Sequence, residues 1–358
     1  MTTFAELHLS LGAELAQDQI PLHYNNLEDA FQASQETAVI MERSHEGRLE
    51  LYGRDAFSLI QRISTNDVLQ LKEGEGAPTI FTSPIARILD RVVVLHSSDH
   101  ALVLTEPGRA SAVQNYLQRN IFFNDEVRLQ NITKQTRQLN LHGAKADEIV
   151  QAIDPTLVDL ALYHHKKVTL ANQEVTVIRN VSLSGGHFTF VCASSTSAEV
   201  FSALLDIGKP FGLLPAGSLT YNMLRISAGR PGVHRELTQD YIPLEAGLWN
   251  EVSFTKGCYT GQEIIARMES RNRLAKTIVT VSLSKEISVP APITHEGHTV
   301  GTLTSNVTLP DGSVRGIAFI KMSHVKLGAE YTSEGAAIKL LSLAGSQPAS
   351  VEAEIENR

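Results

Sequence analysis

The stretch Thr255-Lys256-Gly257-Cys258-Tyr259-Thr260-Gly261-Gln262-Glu263 is the least ordinary in the chain. Val252 and Phe254 before it suit a strand, and Ile264, Ile265 and Met268 after it suit one face of a helix. Cys258 is therefore expected on a strand-to-helix loop, close to a helix N-terminus. Gly257 and Gly261 let the backbone turn tightly or approach a ligand. An isolated cysteine is usually a small buried hydrophobe. The polar, glycine-flanked setting favours a functional thiol here. A helix N-terminus and the nearby Lys256 would both favour its thiolate form. Cys258 is the candidate nucleophile and Lys256 its candidate electrostatic activator. Cys192, in Phe190-Val191-Cys192-Ala193, reads as core.

Outward from this loop, α and β signals mix. Residues 4–18 and 27–37 have helical spacing, and a helix is expected from Ala56. Leu49 and Leu51, Val92–Leu95, Ala101–Leu104, Leu139–Leu141, Val168–Leu170, Val175–Ile178 and Phe188–Val191 read as strands. The last three are expected in one sheet. Residues 106–119, with Pro107 in the first turn, 197–205 and 217–226 read as helices. From Thr277 onward the pattern becomes short strands and turns, and about five strands suggest a small closed β-barrel. The elements before residue 276 do not alternate strictly, so the fold class expected is α+β. The segmentation expected is 1–275, in two modules of roughly 45–135 and 136–275, then a barrel at 276–345 and a frayed tail at 346–358.

Composition excludes several classes. The chain has 358 residues and a net charge of −8, which argues against a protein built mainly to hold nucleic acid or anionic membrane, and no direct DNA contact is expected. No apolar run is long enough to span a bilayer. The first Lys or Arg is Arg43, so neither a secretory nor a mitochondrial leader is expected. Two distant cysteines make neither a disulfide scaffold nor a cysteine-rich metal site, and the compartment expected is a reducing cytoplasm. The phosphate-loop, nucleophile-elbow, zincin and C-x-x-C patterns are missing, and Gly74-Glu75-Gly76 lacks the third glycine of a dinucleotide loop. His164-His165-Lys166-Lys167 reads as a solvated segment. The sequons at Asn131, Asn180 and Asn306 have no meaning without a secretion signal.

The loop around Cys258 resembles the K-G-C-Y-x-G-Q-E signature of the YgfZ-type folate-binding proteins, relatives of the glycine-cleavage T-protein (aminomethyltransferase). Weaker similarities follow in chain order. They are Arg43-Ser44-His45-Glu46-Gly47-Arg48-Leu49, Gly53-Arg54-Asp55-Ala56, Leu59 to Val68, Ile88-Leu89-Asp90, Leu141-His142-Gly143, Leu224 to Gly229 and Gly301 to Ser305. The resemblance implies two interleaved ferredoxin-like modules around a central folate channel, with a C-terminal barrel. It also implies tetrahydrofolate or a folate derivative as cofactor. Two departures stand out: T-proteins carry adjacent acidic residues where this chain has Asp90-Arg91, and Glu where it has Ser227.

The residues suit a folate. A pterin presents an amino-pyrimidinone edge that pairs with a carboxylate, and its glutamate tail needs Arg or Lys. Asp90 is the candidate for the ring or the reactive nitrogen, against a structural pairing with Arg87 or Arg91. Asn66, Tyr221, Arg225, Trp249, Tyr259, Gly261, Gln262, Glu263 and Arg271 complete the candidate set. Arg225 has an ion-pair alternative, the aromatics a core alternative, and Arg267, Arg271, Arg273 and Lys276 a solvated-face alternative. No residue is expected to bind metal.

Three functions follow. The first is a tetrahydrofolate-binding accessory for iron–sulfur cluster assembly or repair and dependent tRNA modification, with iron–sulfur proteins and a tRNA-modification enzyme as partners. The second is a folate-dependent aminomethyltransferase. The third is a non-catalytic tRNA- or protein-binding module. Whether the chain is an enzyme stays open.

Overall fold

Six strands at the C-terminal end close on themselves. Their order around the barrel is Lys276–Leu283, Val314–Lys321, His298–Thr308, Ala291–His295, Glu330–Ser333 and Ala336–Leu343, and the last pairs back onto the first. Alternation sends Val279, Val281, Ile293, Ala318, Ile320, Ile338 and Leu340 into one apolar cluster. The computed structural model describes residues 3–270, 274–349 and 351.

The chain forms two compact units that interleave in sequence. The first comprises residues 1–60, 68–78 and 92–221; the second comprises 61–67, 79–91 and 222–358. This division differs from the linear segmentation expected, because the chain passes between units inside elements such as the helix Ala56–Ile63 and the strand Ile88–His96.

The first unit contains a six-stranded sheet in the order His165–Leu170, Gln173–Arg179, Gly186–Ala193, Thr136–Gly143, Ala38–Glu42, Leu213–Ala216. One face carries Leu139, Leu141, Phe188 and Phe190 against the helices Ala146–Ile153 and Ser197–Gly208. Period-two alternation puts Gln138, Asn140 and His142 on the opposite face. There Val191, Thr189 and His187 pair with them in register. A second sheet runs Gly76–Thr82, Ile88–His96, His100–Pro107, Glu46–Tyr52, Arg128–Asn131. Mixed helices and sheets with a closed barrel bear out the α+β reading.

Local differences have local causes. The first helix stops at Ser10 rather than residue 18, because Gly12 takes a φ of +84° and Ala13–Leu15 pairs with Pro21–Tyr24. The helix expected from 106 starts at Ala110; Pro107 ends a strand, and Gly108 turns at φ +72°. Val252 and Phe254 form no strand, since Trp249–Glu251 is a 3-10 turn running into a loop. The tail from Ser346 begins docked rather than frayed. The Ser346 amide donates to Gly247 O at 2.7 Å, and Val351 is buried in the cluster the barrel shares.

Candidate functional site

The loop after Trp249–Glu251 is held from beneath. The Lys256 ammonium, 8% exposed, donates to three main-chain carbonyls, Gln61 and Asn66 at 2.7 Å and Ser64 at 2.9 Å. An ammonium has three N–H donors, so this set uses all of them. Burial pushes the Lys256 ammonium down to about 8, with Asp67 opposing the shift. Next along the chain, Tyr259 is buried in the apolar cluster, its ring 5.3 Å from the Lys256 nitrogen, and burial raises its phenol to about 12. The Thr82 hydroxyl donates to Thr260 O. Gly261 has φ +87°, and a β-carbon there would sit 2.8 Å from Ser83 O and 2.9 Å from Thr82 Oγ1. Only glycine fits that position.

Between these anchors, Cys258 is exposed. Gly257 is exposed too, with nothing within 4 Å of the position a β-carbon would take. The helix Gln262–Ser270 begins four residues after the thiol. Ile265 buries its inner face, and Glu263 pairs outward with Arg267 at 2.8 Å. Gln262 is half-buried at the first turn. The structure thus gives the Lys256 ammonium the work of holding the loop.

The same unit explains Arg91. Its guanidinium grips Glu251 in two-pronged fashion, with Nε to Oε2 at 2.7 Å and Nη2 to Oε1 at 2.7 Å, both residues buried. The Thr65 hydroxyl donates to Glu251 O, and the Ser253 amide to Thr65 O. Asp90 is buried beside it on the strand Ile88–His96, 7% exposed. Asn66 takes Thr79 Oγ1 at its amide, gives its carbonyl to Lys256, and accepts the Asp67 amide at its side chain. Lys256, Asn66, Tyr259 and Gly261 therefore converge under the thiol. Arg225 and Trp249 do not join them. Arg225 binds Asn222, Glu236 and Ser305, where the fully buried Glu236 also accepts Thr304 and the Gly232 amide. Trp249 donates to Leu244 O in the core. Arg271 and Arg273 lie outside the described residues.

Tyr221 belongs to the first unit and marks a second polar locus. The Arg43 guanidinium lies 3.6 Å over its ring, and Arg43 also pairs with Glu46 at 2.8 Å. The His142 ring centroid is 6.0 Å from that of Tyr221 and 4.0 Å from that of His187. His142 is fully buried, and neither ring nitrogen has a hydrogen-bond partner among the described residues. Burial, reinforced by His187 and Arg43, keeps its imidazole neutral. On the same strand face, Gln138 Oε1 is likewise unpartnered and buried. Asn140 between them is satisfied by Thr189 and His187. Glu251, Gln138 and His142 escaped the sequence reading. Their signal was polar residues at alternate positions in a buried strand for the last two, and for Glu251 none. Among the described residues no three His, Cys, Asp or Glu side chains are grouped to hold a metal, and no helix is long and apolar enough to cross a membrane.

Comparison with known proteins fits this architecture. The GCVT N-terminal domain family matches residues 5–256. The chain belongs to that family. Among its relatives is the chloroplastic protein At1g60990 of Arabidopsis thaliana, provisionally named a transferase, 30% identical over 90% of this chain and 74% of that protein. An aminomethyltransferase of Bacillus pumilus is 27% identical over 87% of this chain and 86% of its own. The crystal structure of the glycine cleavage system aminomethyltransferase T from Bartonella henselae superposes with a TM-score of 0.83, covering 94% of this chain and 95% of that one at 19% identity. The GCVT family membership and this superposition give the chain an aminomethyltransferase fold.

Proposed function

We propose that this chain is a reduced-folate-binding protein of the YgfZ type that presents the Cys258 thiol to an iron–sulfur protein or its assembly machinery. The observation that carries the thiol part is an exposed cysteine on a loop locked by Lys256, Tyr259 and Gly261. Ordering a loop costs conformational entropy, and a loop fixed in advance spares that cost when a partner binds.

Family membership supports a folate-type ligand, and the first unit has residues that fit one. Gln138 Oε1 can accept from an amino-pyrimidinone edge, and neutral His142 offers one donor and one acceptor. Buried polar atoms of this kind normally have partners. A bound folate would supply a carrier for one-carbon groups. Asp90 and Tyr221 remain proposed ligand residues. Arg225 is engaged with Glu236, which supports a structural role for it. The cytoplasm is part of this proposal; the Arabidopsis relative is named as chloroplastic, so no compartment follows from the family.

A Cys258→Ala variant should stay folded and bind folate while losing in vivo support of an iron–sulfur enzyme. Full support by that variant would sink the thiol mechanism. The second reading, aminomethyl transfer, is favoured by relatives named aminomethyltransferases. It requires turnover of an aminomethyl donor with tetrahydrofolate, and turnover unchanged in Cys258→Ala would place the chain with the T-proteins.

A further inference from the structure

The barrel carries a cleft of about 510 Å³ that neither folate nor the thiol explains. That volume lies within the range of small-molecule sites. Its floor is apolar, from the buried Val325 and Tyr331. Its polar groups are His295, Ser323, His324 and Lys326. The Tyr331 hydroxyl donates to His324 O and so pins the loop that bears His324 and Lys326. The His295 ring sits 5.6 Å from that of Tyr331 and 6.4 Å from that of His324, edge-on to both. Each imidazole has its Nδ1 engaged, His295 with Glu330 O at 3.2 Å and His324 with Ser323 Oγ at 2.9 Å. The Nε2 is then the atom each offers to a ligand.

We propose that this cleft binds a small organic oxyanion with a flat apolar body. Lys326 and the two imidazoles would hold the charged group, and Val325 and Tyr331 would receive the body. Because His295 donates its Nδ1–H to a carbonyl, its Nε2 donates only in the imidazolium form. The titratable and charged neighbours of His295 are His298 across its hairpin, Glu296 beside it, His324 and Tyr331 at its ring, and Glu330, which pairs in register with Lys339.

The test is titration of the full chain, followed by amide NMR shifts, with benzoate, phenyl phosphate and inorganic phosphate. The proposal expects saturable shifts confined to residues around 293–296 and 322–332. Lys326→Ala and His295→Ala should each weaken binding about tenfold, as loss of one charge-assisted contact does. The tighter of benzoate and phenyl phosphate identifies the anion as carboxylate or phosphate ester. Absence of saturable shifts, shifts centred elsewhere, or affinities unmoved by both substitutions would overturn it. Inorganic phosphate binding as tightly as phenyl phosphate would overturn the part given to the apolar floor. Both variants are of cleft-lining side chains, and their unchanged thermal unfolding would show that the fold is intact.

Discussion

The loop at 255–261 and the strand face at 138–142 solve opposite problems. In the loop the buried Lys256 ammonium has all three of its donors satisfied, and the Cys258 thiol is left exposed. On the strand face the polar atoms are inside, and among the described residues Gln138 Oε1 and both His142 ring nitrogens lack hydrogen-bond partners. A region whose buried polar groups are all satisfied gains rigidity. A region that leaves them unsatisfied gives up stability, at about 1–3 kcal/mol per group. The contrast supports the proposal that the first presents a thiol and the second receives a ligand.

The sharpest way to break the contrast is to remove the strut. Lys256→Met takes away one cation and leaves the carbonyls of Gln61, Ser64 and Asn66 without their donor. A loss of about 4 kcal/mol is expected from urea denaturation. A loss under about 1 kcal/mol would mean that the ammonium is not what holds the loop. Separating Arg91 from Glu251 by Glu251→Ala should cost a similar amount, about 3–5 kcal/mol, because a buried guanidinium would lose a two-pronged carboxylate partner.

A smaller effect compares the two glycines of the signature. Gly261→Ala meets Ser83 O and Thr82 Oγ1 and takes an alanine to φ +87°, so a loss of about 2 kcal/mol is expected. Gly257→Ala meets nothing and should lie within about 0.5 kcal/mol of the parent. Equal losses at both would remove the claim that anchoring lies on the helix side of the thiol.

The strand face is probed by acid. Burial holds the His142 imidazole well below 6.5, and burial, with Arg43 and Arg48, takes His45 to about 2. The unfolded chain binds protons below about 6.5 that these folded groups refuse. Stability from them is present above that pH and falls as pH drops through it, by about 1.4 kcal/mol per pH unit for each group. His142→Leu should flatten that slope by one group's share in pH-dependent unfolding. An unchanged slope would show that His142 is already partnered or exposed.

Much of the architecture was legible because it rests on periodicity. The barrel after residue 276, the helix Gln262–Ser270 and the sheet strands from 136 to 193 follow from alternation and helical spacing, which burial imposes directly. The barrel has one strand more than the turn signals suggested, since the short Glu330–Ser333 lies one tight turn from its neighbour. The site was legible only along the chain. Cys258, Tyr259 and Gly261 were visible in their own segment, but the partners of Lys256 lie some 190 residues away and are backbone atoms, which no side-chain pattern announces. Arg225 looked like a ligand residue because its carboxylate partner, Glu236, lies beyond the end of its own helix. Arg91 looked like a lost acid for the same reason, its partner Glu251 being distant in sequence.

The most direct measurement is calorimetric titration of the purified chain with tetrahydrofolate, beside Cys258→Ala and His142→Leu. Equal binding by the parent and Cys258→Ala, with binding weakened about tenfold or more in His142→Leu, is the predicted result. Binding lost in Cys258→Ala but kept in His142→Leu, or no binding by the parent, would contradict the account.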